Sequence, residues 1–104
     1  MSTVAEIIET MKSKFNADAA SGMENVFQFS IEDGDDFFLT INDGSFEIAE
    51  GENDDPSVTL IMTTETLSGL MSGDVDGMQA FMMGQLKAEG DIMLATKLSE
   101  LFPV

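Results

Sequence analysis

Apolar positions along this chain alternate between a helical and an extended period. Val4, Ile7, Ile8, Met11 and Phe15 recur at helical spacing and mark one face of a first helix. Thr3-x-x-Glu6 has capping-box spacing, so Ser2 or Thr3 starts that helix. Asn16 to Gly22 is a connector of small residues. From Glu24 the period becomes two. Phe27, Phe29 and Ile31 alternate with Gln28, Ser30 and Glu32, as in a strand with one buried face. Asp33-Gly34-Asp35 turns the chain into Phe37, Leu39 and Ile41, and Asn42-Asp43-Gly44 turns it again into Phe46 and Ile48. Three strands on two short turns form an antiparallel meander.

Glu50 to Pro56 is polar throughout and reads as a loop. Ser57 to Thr63 forms a fourth strand with Val58, Leu60 and Met62 on one face. Thr63 or Thr64 caps a helix carrying Leu67, Leu70 and Met71, which Ser72-Gly73 ends. Asp74 or Asp76 opens a short helix with Met78, Phe81 and Met82. Gln85 to Ala88 forms a short strand after the break at Gly84. Asp91 caps a last helix, on which Leu94, Leu98 and Leu101 recur at i, i+4 and i+7 and Phe102 widens the stripe. Periodicity alone therefore gives an α+β fold, with helices on one face of a mainly antiparallel sheet.

At 104 residues, one domain over 1–104 is expected. The 43% hydrophobic content is that of a folded chain, and no apolar run is long enough to span a bilayer. Charge changes the picture more. Twenty acidic residues face four lysines, Lys12, Lys14, Lys87 and Lys97, for a net −16. Such a chain is repelled by nucleic acid and by anionic membranes, and its simplest reading is a solvated acidic surface.

The catalytic inventory is thin. There is no His, Cys, Tyr, Trp or Arg, which removes His-based nucleophilic dyads and all thiol chemistry. The carboxylates cluster in turns, where water keeps them ionised and untuned. Asp74-Val75-Asp76-Gly77 resembles the middle of a calcium loop. With Gly77 at loop position six, however, Met83 stands where the bidentate Glu belongs, so the segment reads as a helix cap. Gly34 and Gly44 are assigned to positive φ in turns, and no phosphate-binding glycine loop is present. No metal or cofactor is expected, and no enzymatic activity.

The stretch from Ala80 to Phe102, AFMMGQLKAEGDIMLATKLSELF, resembles the signature of the sterol carrier protein type-2 lipid-binding family. Ala80, Phe81, Gly84, Leu86, Lys87, Gly90, Asp91, Leu94, Ala95, Lys97, Leu98 and Leu101 match it in order. Gln85 stands where the family usually has Lys, and Ala88 where a larger apolar residue is common. The resemblance extends upstream through Val58 to Gly73 and, more weakly, to the N-terminus.

It implies a helix, a three-stranded meander, a crossover to a fourth strand beside the first, then helices and an edge strand. It also implies an apolar tunnel between sheet and helices. Nine methionines suit an adaptable wall, although composition alone would assign them to an ordinary small core. The expected wall is Met62, Leu67, Leu70, Met71, Met78, Phe81, Met82, Leu94, Leu98, Leu101 and Phe102. The expected function is non-catalytic binding or transfer of a fatty acid, acyl ester, sterol-like molecule or phospholipid. Lys87 and Lys97 are the cations expected nearest the tunnel. The partner is an apolar lipid rather than nucleic acid, with transient membrane contact allowed. Two rival readings are an acidic protein-interaction module with no lipid cavity and an accessory subunit that carries an acyl substrate to an enzyme. The last residues, Phe102-Pro103-Val104, lack a Ser-Lys-Leu type address, which points to a cytoplasmic, prokaryotic protein.

Overall fold

The computed structural model describes residues 3–103; Ser2, the alternative first cap, lies outside them. Helix α1 is Val4–Lys14, and the Thr3 hydroxyl accepts the Glu6 N–H at its start. Its buried residues are Ile7, Ile8 and Met11, on the face the spacing predicted. Strands β1 (Glu24–Ile31), β2 (Phe37–Asn42) and β3 (Ser45–Glu50) form the meander. Asp43 and Gly44, with φ of 46° and 86°, give the β2–β3 turn the double left-handed geometry of a tight hairpin.

Strand β4 (Val58–Met62) returns beside β1 and pairs with it in parallel, and β5 (Lys87–Gly90) adds antiparallel to β4. The sheet order is β3-β2-β1-β4-β5. Register places Phe27 between Leu39 and Val58, Phe29 between Phe37 and Leu60, and Ile31 beside Met62. This inner face is fully buried, and the Phe29 and Phe37 rings stack at 4.7 Å. Helices α2 (Thr64–Ser72) and α4 (Ile92–Leu101) fill it with Leu67, Met71, Leu98 and Leu101, beside Phe102. The short helix α3 (Gly77–Met82) leans on α4 at the β5 end.

Several expectations are corrected in detail. The last strand begins at Lys87 rather than Gln85. The Gln85 and Leu86 N–H groups both donate to the Ala80 carbonyl and close the end of α3 before pairing starts. Gly34 does not have positive φ. It is needed because a Cβ there would sit 2.9 Å from a Val4 methyl and 3.1 Å from the Thr64 hydroxyl. Gln28 alternates with the inner-face residues of β1 yet is itself buried. Its amide donates to the Phe37 and Gly51 carbonyls and its oxygen accepts the Asn53 N–H at 2.7 Å, so the polar Glu50 to Pro56 loop folds back over it.

Candidate functional site

The side of the fold away from β3 holds a cavity of about 360 Å³. Each of its walls has a local cause. Thr63 caps α2 with its side chain, and Gly73 ends it at φ 87°. The chain then doubles back, and the Val75 N–H donates to the Gly69 carbonyl at 3.0 Å. This packs Val75 so closely on Gly69 that a Cβ at Gly69 would overlap its methyl. Leu70, Met71 and Val75 form this wall. Asp76 caps α3 by accepting the Met78 N–H, and α3 contributes Met78 and Phe81. Asp91 caps α4 in the same way, through Met93 N–H. From α4 come Ile92, Ala95, Thr96, Leu98 and Ser99, with Phe102 just beyond it; Leu86 completes the lining.

Thus Leu70, Met71, Met78, Phe81, Leu98 and Phe102, six of the residues expected to form a wall, meet around one space. The other five do not line it. Met62, Leu67 and Leu101 are wholly buried in the core behind. Leu94 is partly buried against that core. Met82 points outward and is 80% exposed. No strand residue lines this cavity, so it does not lie between sheet and helices as the expected tunnel would. The physical reason is that the helices already fill the inner face of the sheet. The space lies instead where α2, α3 and α4 diverge.

Val75, Leu86 and the second face of α4 also line the cavity, outside the main apolar stripes. That face has a signal of its own. Ile92, Ala95, Thr96 and Ser99 recur at i, i+3, i+4 and i+7. It is missed because its side chains are small or hydroxylic, next to the stronger Leu94-Leu98-Leu101 stripe.

The lining is apolar apart from a few groups. Thr96 and Ser99 donate to their own helix carbonyls, at Met93 and Thr96, which leaves their oxygen lone pairs as acceptors. Asp76 is the sole charged residue in the lining, and no lysine is present there. Lys87 pairs in register with Ile61, across β5 from Ala88 and the inner face, and so does not face the helices. Lys97 is exposed beside Glu100 at 3.5 Å. Lys14 donates to the Met71 carbonyl at 2.6 Å and closes the end of α2, which has no basic residue of its own there. The two lysines expected near the site therefore do not serve it. No cluster of three or more metal-ligating side chains occurs among the described residues.

A mixed five-stranded sheet with helices on one face and a helix-lined apolar cavity defines an α+β protein with a small apolar space at the side of its core. The chain belongs to the SCP-2 sterol transfer family, whose model matches residues 4–103. It is 33% identical over 101 residues to hydroxysteroid dehydrogenase-like protein 2 of Rattus norvegicus, covering 94% of this chain and spanning 19% of that protein. Its fold is shared with sterol carrier protein 2 like 2 of Aedes aegypti (TM-score 0.77, 23% identity, 95% of each chain). It also matches part of the sec-alkylsulfatase Pisa1 of Pseudomonas sp. (TM-score 0.78, 25% identity, 88% of this chain and 15% of that one).

Proposed function

We propose that this chain is a non-catalytic lipid carrier that holds the apolar part of one small lipid between α2, α3 and α4. The observation that carries the reading is the apolar, helix-lined cavity in a member of a sterol transfer family. Its volume is at the lower end of the ~300–1,000 Å³ range of ligand pockets, which suits one acyl chain or a compact ring system better than a two-chain phospholipid. Burying about 12 methylenes releases roughly 10 kcal/mol before ordering costs, enough for micromolar affinity without a strong polar contact. The lining favours an uncharged head group. It offers acceptors (the Asp76 carboxylate and the Thr96 and Ser99 hydroxyl oxygens) and no cation to receive a carboxylate or phosphate. The acidic interaction-module reading needed no cavity and is not favoured.

The test fills the space without burying a charge. Ala95→Phe places a ring into the cavity from α4. The expected result is at least a tenfold loss of binding of a fluorescent sterol or fatty alcohol, with a melting temperature equal to or above the wild type. Native mass spectrometry of the purified wild type reads any co-purified lipid directly. Unchanged ligand binding in Ala95→Phe would remove this cavity as the site.

A further inference from the structure

The large apolar side chains that are exposed among the described residues gather on one lip. Met78, Phe81, Met82 and Met83 belong to α3 and its cap, and Ile92 and Met93 to the first turn of α4. They are 41–80% exposed. Scattered exposed hydrophobics need no explanation, but a contiguous set marks an interaction face. Met78, Phe81 and Ile92 also line the cavity, so lip and cavity wall are one continuous apolar surface.

Charge selects what covers it. Gly77 to Leu86 and Ile92 to Thr96 carry no charged residue in a chain of net −16. The carboxylates that border the lip, Asp76 and Asp91, are engaged as helix caps. A folded protein partner is usually placed by polar and charged groups around its interface, and the one cation on α4, Lys97, a turn beyond Met93, is already paired with Glu100 at 3.5 Å. An anionic membrane is repelled by the whole molecule. A zwitterionic lipid surface needs neither, and flexible methionines suit its irregular boundary.

We propose that the α3–α4 lip docks on zwitterionic lipid surfaces, and that the ligand passes between bilayer and cavity across it without crossing water. This rests on the lipid-carrier reading above. The experiment uses Met82→Glu with Met93→Glu, side chains 80% and 75% exposed that do not line the cavity. A control, Ser21→Glu with Ser45→Glu, adds the same charge at exposed positions near the opposite, β3 edge of the sheet. Flotation with phosphatidylcholine vesicles reads docking, and titration with a fluorescent sterol in vesicle-free solution reads the cavity.

The lip variant is expected to keep solution binding within about twofold while vesicle partition falls about tenfold or more, since each apolar side chain held from water is worth at least that factor. The control is expected to match the wild type. Vesicles containing phosphatidylglycerol are expected to bind less at low salt and to recover as salt rises. Undiminished flotation of the lip variant would overturn the proposal. So would a wild-type dimer that the lip variant dissolves, because a second copy would then be the occupant. Flotation of a wild type that binds no ligand in solution would count instead against the carrier reading and the passage of ligand across the lip.

Discussion

Two polar side chains fix the ends of α2, and both act from outside the helix they serve. At its start the Thr64 backbone N–H and hydroxyl donate to Asp33 Oδ1 at 2.7 and 2.8 Å. These bonds hold the Asp33 carboxyl below its ordinary value, with the backbone N–H the larger cause. A depressed carboxylate contributes stability that is present above its unfolded value and lost as pH falls through its folded one. Asp33→Asn is therefore expected to be less stable than wild type near neutrality, with the gap closing below the usual carboxylate range. Melting temperatures of both proteins across that range give the test. Taking the difference cancels the general relief of acidic repulsion on protonation, and a gap independent of pH would sink the assignment. At the other end of α2, Lys14→Met removes the donor to the Met71 carbonyl. A loss of about 1–2 kcal/mol is expected in denaturant unfolding. Ligand binding is expected to weaken too, because Met71 lines the cavity.

At the scale of elements, the site depends on how tightly α2 meets the segment that follows it. Gly69 lies inside α2, where Ala would ordinarily gain about 1 kcal/mol in helix propensity. Here the new methyl would collide with Val75, whose branched side chain cannot swing clear. Overpacking of this kind costs about 1–3 kcal/mol. Gly69→Ala is therefore expected to be destabilising overall, by up to about 2 kcal/mol, and to drive Val75 into the cavity it lines. Chemical denaturation alongside a ligand titration would show both effects, and a stabilised Gly69→Ala protein would mean that the Val75 segment yields freely. Elsewhere, the ring of Phe15 lies 4.3 Å from Phe46 and 5.7 Å from Phe102. That trio ties α1, β3 and the end of α4 together, so Phe102 is a fixed wall of the cavity, whereas Phe81, 41% exposed on α3, is an outer one.

For the whole molecule, size and charge set the limits on ligand. The radius of gyration is 12.2 Å, against about 13 Å for a chain of this length, so the interior has little spare room and the cavity sits at the side of the core. Net charge −16, with no lysine in the lining, opposes polyanionic head groups. A fatty acid is expected to bind better than its coenzyme A ester at low salt. The gap is expected to narrow as salt rises, because screening reaches about 10 Å at 0.1 M. Titrating both ligands at two ionic strengths decides it. Tight ester binding at low salt that weakens on adding salt would reveal a basic site that the net charge conceals.

The sequence by itself determined the elements and most of their ends. Period and capping chemistry placed the meander, β4 and the four helices, because Thr3, Thr63, Asp76 and Asp91 act through bonds to residues two or three positions away and Gly73 through its own left-handed backbone. It also determined which chemistry is absent, since no fold can supply a missing His or Cys. Tertiary structure alone decided where apolar side chains stop being core and become wall. Leu67 and Leu70 look alike on one helix, yet the first is wholly buried in the core and the second, only partly buried, lines the cavity. It alone buried Gln28, through a loop more than twenty residues away, and turned Lys87 to the face opposite the helices. Local rules see neighbours in the chain, whereas a cavity is bounded by elements whose divergence depends on how completely the rest of the core is filled.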